Sequence, residues 1–159
     1  MTDEREHRYE STVSWSAAGG GPTRSYAGYS RQHAIAVEGK PPLVGSADPA
    51  FRGDASHYNP EELLLASLSA CHLLSYLALC ALEGIAVVSY TDRAHATMRE
   101  RAGGGRFTEA LLRPEVAIDD ERIERAIVLH DRAREVCFVA NSVNFPVRHE
   151  PVVRRFARE

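Results

Sequence analysis

Cys71 and Cys137 are the residues of this chain whose surroundings give a thiol something to do, although they lie far apart in the sequence. Cys71 sits in an apolar run that begins at Asn59-Pro60-Glu61-Glu62, and Cys137 ends a later helical segment. A thiol reacts as its thiolate, so a reactive cysteine needs a nearby cation or donor to lower its pKa from about 8.5. Burial in an apolar helix does the opposite. With Ala70 and Leu73 as close neighbours, two readings of Cys71 stay open: an inert buried thiol, or a reactive one reached by an arginine from elsewhere. Cys80, deeper in the same run, reads as a core cysteine.

The other chemistry-bearing residues have plainer explanations. His72 follows Cys71, but successive helical residues point about 100° apart, so it reads as a core or interface histidine. His130 stands two turns before Cys137, roughly 10.5 Å along a helix, and reads as a hydrogen-bonded histidine under a sheet. The sequence has no CxxC, no histidine pair at i and i+4, and no zinc-finger spacing, so no metal is expected. Gly103-Gly104-Gly105 is a turn, since no phosphate-binding lysine follows it. Asp119-Asp120-Glu121 is a helix start rather than a catalytic carboxylate pair.

The chain has 159 residues, 44% of them hydrophobic, which suits one domain over residues 1–159 with a loose N-terminus at 1–8. A net charge of -3 without a dense basic block argues against nucleic acid or an anionic membrane as a partner. The charged start, Met1 to Arg8, lacks the apolar core of an export signal, and three cysteines fit a reducing compartment. A cytoplasmic protein is expected. From Leu63 to Leu82 no charged residue occurs, a length that approaches a membrane span. The polar Ser67, Ser69, His72 and Ser75, and the absence of flanking basic anchors, favour a central helix of a soluble protein, buried nearly all round.

The elements that must position these residues predict an α+β fold. Asn59 is an N-cap, Pro60 suits the first helical position, Glu62 can complete a capping box, and Gly84 closes the helix. Tyr9 to Ser16 and His33 to Glu38 alternate as strands, and residues 39–58 form a long irregular connection. Ile85 to Arg99 and Arg106 to Ile118 flank a glycine turn as a long hairpin. Asp119 or Asp120 caps a second helix, with Ile123, Ile127, His130 and Cys137 on one stripe and Ala126, Leu129, Ala133 and Val136 beside it. Val147 to Phe156 completes the chain as a last strand, followed by a charged end that includes Arg158. So apolar a helix in so small a domain needs more cover than one chain supplies, and a partner subunit could provide it.

Asn59-Pro60-Glu61-Glu62-Leu63, the ten-residue step from Glu61 to Cys71, and the helix-ending Cys137 together resemble the OsmC/Ohr family of thiol-dependent peroxidases, over most of the chain from Tyr9 to Phe156. The resemblance implies an OsmC-like fold, with antiparallel sheets around the central helix, and an intertwined homodimer with active sites at the subunit interface. It implies that Cys71 is the peroxidatic thiol and Cys137 the resolving one, with an external dithiol as reductant. Glu61 would orient an activating arginine. Arg52 resembles the position used in one branch of the family and is preferred, while Arg31 resembles the position used in the other. No metal, flavin or nucleotide cofactor is implied.

Along a continuous helix Glu61 lies about 15 Å from Cys71, so either the helix is offset or broken between them, or Glu61 acts through a long arginine or across the dimer; a site composite between subunits is the expectation. Family members often carry Phe after the first cysteine and Pro after the second, where this chain has His72 and Phe138. The expected activity is reduction of organic hydroperoxides, as part of an oxidative stress response. A redox sensor, or a small-molecule-binding protein of the same fold, is the alternative, and reaction rate separates them.

Overall fold

A computed structural model describes residues 5–157; the first four and last two residues, among them Arg158, lie outside that description. The chain divides into two compact units, Met1–Leu63 and Leu64–Glu159.

The first unit carries a small antiparallel sheet of β1 (Thr12–Ser14), β2 (His33–Ala36) and β3 (Leu43–Gly45), in that order. β1 is shorter than the alternation from Tyr9 to Ser16 predicts, because Trp15 leaves the ladder and donates its indole N–H to the Ser30 carbonyl at 2.7 Å. The connection at 39–58 is more ordered than expected. It contains β3 and a 3-10 turn at Pro49–Phe51. Ser46 ties it down by donating its N–H to the Tyr58 carbonyl at 2.9 Å and accepting the Asp54 N–H at 3.0 Å.

Helix α1 (Pro60–Leu82) is unbroken and starts as its sequence dictates. The Asn59 side chain accepts the Glu62 N–H at 2.8 Å, and the Glu62 carboxylate accepts the Asn59 N–H at 3.1 Å. This reciprocal capping box satisfies donors that a helix start leaves orphaned. At the other end Gly84 takes φ +69°, and Ile85 donates back to the Cys80 carbonyl at 2.9 Å. A left-handed glycine is the usual way to close a helix on its own carbonyls.

In the second unit the predicted long hairpin is bent into two sheets. Its outer strands are β4 (Val87–Asp92) and β7 (Pro114–Ile118), and its inner strands are β5 (His95–Arg101) and β6 (Gly104–Leu112). The bend falls where the Asp92 carboxylate accepts the Arg113 N–H at 2.7 Å. Helix α2 (Ile123–Val136) follows. The expected last strand is split by Pro151 into β8 (Val147–His149) and β9 (Val152–Arg155). Proline offers no ladder donor.

These last strands run parallel to β6 and β7, so the sheets β4-β7-β9 and β5-β6-β8 are mixed rather than antiparallel. The reason is α2, which carries the chain back before it re-enters, as a parallel connection requires. The N-cap of α2 is Arg122 rather than Asp119 or Asp120. Asp120 instead accepts the Arg122 N–H at 2.8 Å and holds its guanidinium, which donates to the Glu83 and Gly84 carbonyls at 3.1 and 3.0 Å.

The core has two clusters. One joins Tyr76 and Cys80 of α1 to Val116 and Ile118 of β7, Ala126, Leu129 and Ala133 of α2, and Val153 of β9; the other joins Leu68 to Ala110, Leu112 and Val147. Ile127 and Val136 are exposed, so the buried stripe of α2 is Ala126, Leu129, His130 and Ala133. α1 also departs from expectation. It buries one stripe, Leu68, His72, Tyr76 and Cys80, and only 22% of its most apolar window is buried. It is not covered all round, since the elements of the second unit meet only that stripe, at the four-residue spacing of one helix face. By length and composition alone α1 could cross a membrane.

Asn59→Ala removes one half of the capping box and should cost about 1 kcal/mol of stability. Urea unfolding at neutral pH measures it; an unchanged midpoint would assign no stabilising role to the cap.

Candidate functional site

Cys71 stands half-buried on α1, one residue before the buried stripe, and Cys137 ends α2 fully buried. The fold brings them together: the two thiols are side-chain neighbours, and neither is in a disulfide. Cys137 takes extended backbone angles directly after the last turn of α2, which lets its thiol accept the Ala140 N–H at 3.5 Å. Burial, with the Cys71 side chain second, pushes the Cys137 thiol up to about 11. At neutral pH Cys137 therefore holds its proton.

Cys71 opens onto a shallow hollow of about 480 Å³, lined by Ala70, Leu74, Phe138 and Val139 with Ser67 and Ser75. Among the described residues no charged side chain lines it. Leu74 is 66% exposed and Phe138 82% exposed, so its rim is large apolar surface, a feature that usually marks binding.

The helices are held in register by histidines. His72 and His130 are both buried, with His72 Nε2 and His130 Nδ1 at 3.0 Å and their rings stacked. The two expectations of core histidines agree with this. Tyr76 stacks on His130 with ring centroids 3.8 Å apart, and His149 lies 5.5 Å from His72 while meeting Asp131 at 2.9 Å. Spacing along the sequence does not find this cluster, because its members come from α1, α2 and β8. Burial first, and then the neighbouring imidazoles (His149 for His72, His72 and His149 for His130), lower the pKa of His72 to about 4 and of His130 to about 3. Both rings are neutral at pH 7.

The remaining site candidates belong to the first unit. Arg31 and Arg52 converge on Tyr26, with Arg31 4.8 Å and Arg52 5.9 Å from the ring centroid. Arg31 also stacks on Tyr29 at 3.9 Å and donates to the Tyr29 carbonyl at 2.6 Å and to the Tyr26 carbonyl. Arg52 takes φ +64°, the one described non-glycine residue in the left-handed region, a conformation that costs energy and clusters at functional sites. Glu61 sits in the first turn of α1 and makes no ion pair with either arginine. Among the described residues no group of three metal-ligating side chains is found.

The family model for OsmC-like proteins matches residues 53–151 of this chain. Among solved structures, an OsmC-like protein of unknown function from Vibrio cholerae aligns at TM-score 0.84 and 28% identity, over 92% of this chain and 100% of that one. An organic hydroperoxide resistance protein from Elizabethkingia anophelis, with thiocyanate bound, aligns at 0.67 and 18%, over 96% and 99%. One described as an organic hydroperoxide resistance protein from Vibrio cholerae, with captopril in one of its active sites, aligns at 0.65 and 20%, over 96% of each chain. The likeness to the last two is one of fold. No curated protein matches.

In the unfolded chain both histidines titrate near 6.5, whereas in the fold they stay neutral down to about 4 and about 3. Their burial therefore stabilises the fold fully above pH 6.5. As pH falls below that value the unfolded chain takes up protons that the fold refuses, and stability drops by on the order of 1.4 kcal/mol per histidine per pH unit. Urea midpoints at pH 7, 6 and 5 should fall steeply below pH 6.5; a flat profile over that range would contradict the neutral pair.

Proposed function

The chain belongs to the OsmC-like family, and from that premise we propose that it is a thiol peroxidase that reduces organic hydroperoxides through Cys71 and Cys137. The observation that carries this reading is the contact between a half-buried thiol facing an apolar hollow and a fully buried thiol that keeps its proton. Only Cys71 has access to a substrate. Its thiolate attacks the distal peroxide oxygen, the O–O bond breaks, and the alkoxide leaves as an alcohol after taking a proton. Cys71 becomes a sulfenic acid. Cys137 then loses its proton, attacks the sulfenic sulfur and expels hydroxide, which leaves as water, and a Cys71–Cys137 disulfide forms. An external dithiol reopens it by exchange.

The apolar hollow supports an alkyl hydroperoxide as the preferred substrate and hydrogen peroxide as a poorer one. The cation that a Cys71 thiolate needs is assigned to Arg52 or Arg31 with Glu61, supplied across a homodimer, in keeping with a hollow that no charged side chain lines. The uncovered face of α1, with Leu74 and Leu82 exposed, is the surface a second copy would cover. The same reading gives the protein a cytoplasmic role in the oxidative stress response, without metal or organic cofactor.

Stopped-flow mixing of the reduced protein with an alkyl hydroperoxide, followed by peptide mapping, tests the proposal. Fast stoichiometric oxidation with a Cys71–Cys137 bond is expected. Cys71→Ser should abolish turnover, Cys137→Ser should permit one oxidation and then stall or over-oxidise, and Cys80→Ser should change stability rather than rate. Oxidation at the rate of an ordinary exposed thiol, with no such bond, would move the function to sensing or binding.

A further inference from the structure

The β5–β6 hairpin carries a concentration of positive charge that the thiol chemistry does not use. Arg99 and Arg106 are direct cross-strand partners, so their side chains leave the same face of the ribbon. Arg101, two residues along β5, shares that face by strand alternation. Glu100 pairs with Gly105 and belongs to the other face. Like charges placed directly opposite destabilise a strand pair, and among the described residues this end of the ribbon has no third strand to support it, because β8 pairs with β6 only at Ala110 to Leu112.

Other arginines of the same unit are matched. Arg93 meets Glu115, Arg113 meets Glu150, Arg125 meets Glu83 and Arg148 meets Glu109. Among the described residues none of Arg99, Arg101 and Arg106 meets a carboxylate or any other acceptor from its side chain. Together with Thr108 and the side-chain-free backbone of Gly103 to Gly105, the three line an open hollow of about 410 Å³. That volume lies within the range of small-molecule sites.

We propose that this arginine face binds a soluble small molecule through a phosphate or pyrophosphate group. Opposed guanidiniums some 5 Å apart at Cβ, with a third about 7 Å along the strand, can surround one such group. Each guanidinium can donate two parallel N–H bonds to phosphate oxygens. A bound anion would neutralise the repulsion between the opposed guanidiniums. The glycine backbone lets the anion approach without a side chain in its way. The site is separate from the two thiols, so it stands or falls independently of the peroxidase reading.

Inorganic pyrophosphate titrated into the reduced, isotopically labelled full chain is the test, with amide shifts as the readout. Saturable shifts at Gly103, Gly104 and Gly105 are expected, weakening as salt rises. Arg106→Gln should weaken binding about tenfold without lowering Tm, since it also removes a like-charge pair. The triple change of Arg99, Arg101 and Arg106 to Gln should abolish the shifts while leaving peroxide reduction and the far-ultraviolet circular dichroism unchanged. No saturable shift at millimolar pyrophosphate, or undiminished shifts in the triple variant, would overturn the site. Co-sedimentation with phosphatidylglycerol vesicles but not phosphatidylcholine vesicles, with no response to pyrophosphate, would overturn it in favour of a lipid headgroup.

Discussion

The hydrogen bond between His72 and His130 is the contact on which the thiol site depends, because it pins α1, beside Cys71, to the helix that leads into Cys137. His72 is next to Cys71, and His130 lies two turns before Cys137. Two buried imidazoles can share a hydrogen bond only while at least one ring nitrogen keeps a lone pair, so the pair must not be doubly protonated. Tyr76, stacked on His130, closes the other side and links the pin to the core formed with β7 and β9. The hydroxyls of Tyr76 and Tyr90 and the Nε2 of His130 are buried without a well-formed partner, the thiol of Cys80 being the polar neighbour of Tyr76. Apart from the His72–His130 bond, the polar centre is held by ring packing.

With the helices pinned, the difference between the two thiols follows from where each element ends. Cys71 is in mid-helix at the edge of the buried stripe, so it stays partly exposed. Cys137 is the first residue past α2, where the backbone turns extended and the following 3-10 turn folds over it. One thiol is accessible and the other is dry. In the proposed peroxidase reaction, that asymmetry would give the pair an order of action, which two equally exposed thiols would lack.

α1 serves two surfaces with one composition. Its inward stripe fills the core of the second unit, and its outward face, with Ala70, Leu74, Ala78 and Leu82 exposed, is apolar without being covered. A helix without charge from Leu63 to Leu82 that is buried on one stripe only leaves its remaining apolar area uncovered, and the Cys71 hollow lies on that area. The first unit has a comparable economy. Tyr26 gathers Arg31 and Arg52, the two arginines that the sequence leaves as alternatives, around one aromatic ring where cation–π attraction offsets their mutual repulsion.

The sequence by itself determined the local features, because caps, turns and periodicity act over a few residues. The Asn59–Glu62 capping box, the Gly84 closure, the glycine turn of the hairpin, the two helices and the α+β class were all legible in it. The motif around Cys71, with Cys137 far downstream, was enough to suggest the family. What only the tertiary structure decided depends on distant segments meeting. α1 is buried on one stripe and not all round, since burial depends on which elements reach it rather than on its own composition. Residues Val147 to Phe156 form two parallel strands and not one, because α2 reverses the chain before it returns to the sheets. Ile127 and Val136 face outward, since the sheets meet the Ala126, Leu129 and Ala133 side of α2. The joining of Cys71 to Cys137 through two neutral histidines has no periodic signature, because it is a contact between helices, and a sequence records only the order of residues within each.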